Sequence, residues 1–238
     1  MFPKRYWFAL LTYVLMHLSI FITFPLLNSV FKLSAVDSLV YGQLFAFFTA
    51  TIITILILKN AIVNEYKASN QKVIIIIGWS VLGVFLAFLT QMITASIEVY
   101  VLGIQPGSEN TEGIMNIINE SKVFLIIPAI FAPILEEFVF RKIIFGSLHK
   151  KMNFFLAAII SSIAFAAIHM DFSHLLVYTG MGFIFAFLYV KSKTIIVPIL
   201  AHMGMNTITV ISQLLIDVDE LEKMKEQLES LTTIIIGG

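Results

Sequence analysis

Cysteine is absent from this 238-residue chain. That excludes disulfides, thiolate nucleophiles and cysteine-held metal centres, and it leaves the redox compartment open. Charge is scarce as well. Only 13% of residues are Asp, Glu, Lys or Arg, and fifteen acids balance fifteen bases. A soluble domain carries about 25% charged residues. Nucleic-acid binding calls for a basic surplus, which is missing, so nucleic acid is no expected partner. No internal repeat divides the chain. An Ala-x-Ala-like cleavage site is also missing after the first apolar run. At positions 6–27 that run exceeds the roughly 7–15 residues of a signal-peptide core, so it reads as a membrane span.

What the chain has in abundance is apolar surface: 59% of its residues are hydrophobic and the mean hydropathy is +0.95. The expected fold is an all-α, polytopic transmembrane bundle in one integral-membrane domain over 1–238. A spanning helix takes about 20 apolar residues. Seven segments fit, at 6–27, 39–58, 73–97, 123–148, 154–169, 175–190 and 195–216, and a range of six to eight spans brackets them. The stretch 103–121 reads as a loop with a short surface helix, and 217–238 as an acidic tail. Membrane lipid is the expected surround. With the N-terminus cytoplasmic, ten Lys and Arg residues fall on the inner side against four on the outer. The positive-inside rule then predicts a multi-pass cell-membrane protein with N inside and C outside.

Against that background a few polar residues stand out. Glu136 and Glu137 sit in the fourth span, followed by Arg141. A charge at the centre of a bilayer costs roughly 2.5–3.5 kcal/mol even on the mildest scale, which marks such residues as functional candidates. Glu137 and Arg141 are i and i+4, so they share a face and can pair. Glu136 is rotated about 100° from Glu137 and can point elsewhere. Phe165 and His169 have the i, i+4 spacing in span five, as do His202 and Asn206 in span seven. If span four runs on to residue 148, Glu136 lies about 21 Å from the inner edge, level with Asn206 at about 19 Å and with His169. Arg141 then lies inside the membrane and needs the Glu137 carboxylate.

Three helices thus deliver Glu136, His169, His202 and Asn206, the candidate catalytic set, to one polar pocket. A carboxylate beside an imidazole can activate water as a general base, and histidine and asparagine donors can hold an oxyanion. Glu136, His169 and His202 can alternatively bind zinc with one position open. Both routes end in water attacking an acyl carbon. Ser161, Ser162 and Ser173 have no compelling base arrangement around them.

These residues resemble the CPBP family of CAAX-prenyl-protease and bacteriocin-processing (Abi-type) intramembrane proteases. The motif Glu-Glu-x-x-x-Arg is matched by Glu136, Glu137 and Arg141, Phe-x-x-x-His by Phe165 and His169, and His-x-x-x-Asn by His202 and Asn206. The resemblance covers 127–208, within a motif-bearing core of about 123–216. It implies an endopeptidase acting on a membrane-associated, prenylated or secreted peptide. Glu136 and His169 would activate water, and His202 and Asn206 would bind the oxyanion. Glu137, Arg141 and Phe165 would give structural and electrostatic support. The family has been described both as metalloproteases and as metal-independent glutamate proteases, so zinc stays open as a cofactor.

Two other classes compete. A proton-coupled transporter also uses carboxylate and histidine chains, but no inverted repeat is found. A catalytically silent scaffold or immunity protein would keep the fold, although the motif set is intact. Among the remaining polar residues, His17 and Gln91 are expected to hydrogen-bond between helices, and Asp171 and His174 to sit at the interface. Gly180, Gly182 and Gly204 are expected to allow close helix approach.

Overall fold

A computed structural model describes residues 2–215. The acidic tail expected at 217–238, like Ile216, lies outside the described residues. Among the described residues eight helices follow in chain order: α1 (Lys4–Val30), α2 (Ala35–Ser69), α3 (Val73–Tyr100), α4 (Glu109–Glu120), α5 (Lys122–Leu148), α6 (Phe154–Ala167), α7 (Phe172–Ser192) and α8 (Ile196–Leu215). No strand occurs among the described residues. The all-α bundle expected from the sequence is the fold observed.

Among the described residues, five helices (α1, α2, α3, α5 and α7) are long and apolar enough to cross a membrane. The other two expected spans differ in kind. α6 has only 14 residues, and α8 has 20 with His202 and Asn206 among them. α4 is the short helix expected within 103–121.

Local chemistry sets the boundaries. Ser34 caps α2 by accepting from the Asp37 amide at 3.0 Å, and Asp37 lies in the first turn, where the helix dipole favours an acid. Asn153 caps α6 in the same way through the Leu156 amide. Asn70 and Lys193 end α2 and α7 in the left-handed conformation, at φ 48° and 56°.

α5 is the axis of the bundle. Its most apolar window is 56% buried, against 11% for α1 and 22% for α2 and α3. α1, α2, α6, α7 and α8 all pack on it. The outer helices are covered with exposed apolar side chains such as Phe21, Ile22, Ile74 and Phe85, as lipid-facing surfaces require. Lipid is as apolar as leucine, so close packing rather than water exclusion must hold these helices together. Gly83 shows the tightness: a Cβ there would lie 2.6 Å from Leu188 and 2.8 Å from Ala201. Gly182 gives α7 the same intimacy with Ser162 of α6.

α5 is also irregular. It passes through 3-10 geometry, then a π-helical turn over Ile127–Phe131, an α turn, and a second π segment over Glu137–Phe145. Two prolines explain the first departure. Pro133 has no N–H to donate, and the Ala132 amide turns back to the Ile127 carbonyl. The Pro128 carbonyl is therefore left without a donor from the following turn.

Candidate active site

The motif residues meet at the middle of α5. Arg141 and Glu137 are both fully buried, with Arg141 Nε 3.1 Å from Glu137 Oε2. The guanidinium lies over the Phe165 ring at 4.4 Å and the Phe185 ring at 5.5 Å. Aromatic faces thus supply part of the electrostatic environment that water would otherwise give. Arg141 belongs to the interior, as the depth of a span running to residue 148 requires.

Glu137 has a second role that its own helix does not reveal. Its Oε1 accepts from Nδ1 of His202 on α8 at 3.0 Å. One buried carboxylate therefore links a cation on its own helix to an imidazole on another. The His202 ring stacks on Phe185 at 4.6 Å between centroids, and its Nε2 lies 3.7 Å from Glu136 Oε2. Glu136 is 13% exposed, and its carboxylate makes no hydrogen bond to another of the described residues.

His169 follows the last turn of α6. Its Nδ1 is 2.9 Å from the Phe165 carbonyl, and a carbonyl only accepts, so Nδ1 carries the proton and Nε2 is left available. Tyr178 stacks on the ring at 4.2 Å. Asn206 Nδ2 donates to the Pro128 carbonyl at 3.0 Å. That is the carbonyl the prolines of α5 leave without a backbone donor, so Asn206 repairs the defect and is oriented by it.

Glu136, His169, His202 and Asn206 line one cavity of about 490 Å³, together with Phe165. Glu137 and Arg141 stand behind that wall. Among the described residues, no group of three or more His, Cys, Asp or Glu side chains is placed to hold a metal ion. In this arrangement Glu136, His169 and His202 do not form a ligand set, and Nδ1 of both histidines is already committed.

Other expectations are corrected here. His17 and Gln91 were expected to bond between helices. Their side chains form no hydrogen bond among the described residues, and both line the cavity. Asp171 and His174, expected at the interface, are also bonded to neighbouring elements. Asp171 accepts from Ser108 at 2.7 Å, and His174 Nδ1 meets Glu98 Oε2 at 2.8 Å. Glu98, 1% exposed, also accepts from the Val177 amide. Ser108 and Asn110 reach the Tyr178 hydroxyl at 3.1 and 3.2 Å, so the N-cap and first turn of α4 hold the residue that stacks on His169. Ser161 is occupied by the Phe140 carbonyl at 2.6 Å.

Sequence reasoning missed Glu98 and also Glu65, near the end of α2. Glu65 Oε2 accepts from the Lys142 ammonium and from the Tyr189 hydroxyl, the latter at 2.9 Å. Its Oε1 accepts from the Ile195 amide at 2.6 Å.

A family model described as "Type II CAAX prenyl endopeptidase Rce1-like" matches residues 119–208, the stretch that carries all three motifs. The chain is 42% identical over 247 residues to the protein named "Putative membrane peptidase YdiL" of Bacillus subtilis (strain 168), covering 99% of this chain and 98% of that one. It is 35% identical over 246 residues to "Membrane-embedded CAAX protease MroQ" of Staphylococcus aureus (strain USA300), covering 98% and 99%. A shorter match, 40% over 78 residues, links 32% of this chain to 42% of the UPF0177 protein YxdF of Lactococcus lactis subsp. lactis (strain IL1403). No solved structure matches the chain.

Proposed function

The chain belongs to the Rce1-like family of type II CAAX membrane peptidases, and on that premise we propose that it hydrolyses a peptide bond inside the membrane at the Glu136 cavity. The observation that carries this reading is the uncommitted Glu136 carboxylate, on a cavity wall shared with His169, His202 and Asn206. A largely enclosed carboxylate with no hydrogen bond from the described residues is costly to keep, and a water molecule is the partner that chemistry supplies.

In this reading Glu136 and His169 Nε2 take the proton of the water as it attacks the scissile carbonyl. The carbonyl oxygen becomes an oxyanion and accepts from His202 Nε2–H and from the second Nδ2 hydrogen of Asn206. With Nδ1 held by Glu137, His202 can donate through Nε2 only as an imidazolium. Glu136, Glu137, Arg141 and the imidazolium then sum to zero charge. The abstracted proton passes to the leaving amine as the C–N bond breaks, which completes hydrolysis. No step requires a serine or a thiol. The arrangement favours the metal-independent form of the chemistry, because the two histidines and Glu136 are not gathered around a common point.

The test is direct. Purified, reconstituted protein is given a panel of fluorogenic membrane-associated peptides, and wild type is compared with Glu136→Ala and His202→Ala. Cleavage is expected in wild type and lost in both variants. Cleavage that persists in both would sink the assignment.

A further inference from the structure

The cavity is one-sided. From the level of Glu136 its lining extends only toward the α4 end: it takes in His17 at the middle of α1, Gln43 near the start of α2, and Gln91 and Gln213 in the later turns of α3 and α8. The α3–α4 connection contributes Pro106 and Gly107, which are exposed, as is Gln213. That is where the cavity meets its surroundings. None of its lining residues belongs to the stretches 59–72, 142–151 or 191–193.

Those stretches are where the cations are. Lys4, Arg5, Lys59, Lys67, Lys72, Lys142, Lys150, Lys151, Lys191 and Lys193 lie at the opposite end of the bundle. At the cavity end, among the described residues, only Lys32 and Lys122 do. Lys and Arg in short loops are retained on the cytoplasmic side. A ratio of ten to two assigns the basic end to the cytoplasm and the mouth of the cavity to the opposite face.

We propose that the active cavity opens on the outer face of the membrane, and that its substrate is a polypeptide presented from that face rather than a tail offered from the cytoplasm. The walls carry apolar side chains, with Phe47, Val99, Ile114 and Met115 among them. A volume of about 490 Å³ suits a pocket for a drug-sized ligand, which is a few residues of chain. The substrate is accordingly a short, extended, apolar stretch of a peptide already delivered across the membrane. This rests on the peptidase reading of the same site.

The absence of cysteine makes the side directly measurable. Thr111→Cys and Gln213→Cys at the mouth, and Lys72→Cys and Lys150→Cys at the basic end, each introduce a single thiol. Intact cells are treated with a membrane-impermeant maleimide. Labelling of Thr111→Cys and Gln213→Cys without permeabilisation, with Lys72→Cys and Lys150→Cys labelled only after it, supports the outward opening. The reverse pattern overturns it. In a second arm, a fluorogenic apolar peptide bearing an impermeant polar dye is added to sealed right-side-out and inside-out vesicles. Cleavage confined to right-side-out vesicles supports the proposal, and cleavage confined to inside-out vesicles overturns it. Outward labelling with no cleavage in either kind of vesicle overturns the peptidase reading while the side of the opening stands.

Discussion

Two partly buried carboxylates, Glu65 and Glu136, occupy comparable settings and are treated in opposite ways. Glu65 sits at the basic end with both oxygens in use: an ammonium, a phenol and a backbone amide converge on it. It joins α2 to α5, α7 and the start of α8. Glu136 sits mid-membrane and is joined to nothing by a hydrogen bond among the described residues, while its neighbour Glu137 takes both the arginine and the histidine. The difference separates architecture from chemistry. A carboxylate that holds helices together is saturated by the protein, whereas one that must handle a substrate is left with capacity to spare.

The strongest way to break this comparison is Glu136→Gln. It should lower the rate of cleavage by about 10²–10⁴-fold, the usual contribution of a positioned acid or base, while the melting temperature in detergent stays within a degree or two of wild type. A large loss of stability would place Glu136 with the architectural group.

Glu137→Gln comes next. It strips Arg141 of its carboxylate at zero exposure and releases His202, a change of about 3–5 kcal/mol by the measure of broken buried pairs. Yield, melting temperature and activity should fall together. Normal stability would show that the aromatic rings alone suffice for the arginine.

Glu65→Gln tests the other side. Lys142 loses its partner, but Glu65 is 20% exposed, so the cost should be nearer about 1–3 kcal/mol. Cleavage per folded molecule should remain within a few-fold of wild type. A selective loss of turnover would join the two centres functionally.

A smaller effect is expected from Pro133→Ala. It restores an amide to α5 that can compete with Asn206 for the turn containing Pro128. Cleavage should drop by less than the roughly 10²-fold that losing an oxyanion donor outright costs, with a shift in kcat rather than KM. The smallest effect is chelation: thorough metal removal should leave cleavage unchanged. Loss of activity that zinc restores would return Glu136, His169 and His202 to the role of ligands.

Periodicity made much of the site legible. The pairing of Glu137 with Arg141 and the shared faces of Phe165 with His169 and of His202 with Asn206 all lie within one or two turns of a single helix, where spacing fixes direction. The bonds from Glu137 to His202 and from Asn206 to Pro128 cross between helices, and periodicity names a face without naming the neighbour. Glu65 was missed for another reason. The apolar span at 39–58 stops at the first charge, Lys59, whereas the helix itself runs on to Ser69. Neither Gly nor Pro interrupts 59–69, and the helix continues until Asn70 turns left-handed. That uninterrupted run was the available signal. The π segments of α5 had none, since apolar residues fit either kind of turn.

The second of those segments, Glu137–Phe145, begins next to Glu136 and carries Lys142, the partner of Glu65, so it spans the step from one charge centre to the other. A π turn closes on the fifth residue rather than the fourth, so removing one residue there would let the helix relax into ordinary α geometry without breaking. The damage would appear elsewhere. Everything beyond the deletion would turn by about 100° relative to everything before it. Either Lys142 would swing away from Glu65, or Glu136 would leave the cavity. The segment acts as the phase setting between a clamp and a reaction centre, and its length tolerates change far less than its apolar side chains do.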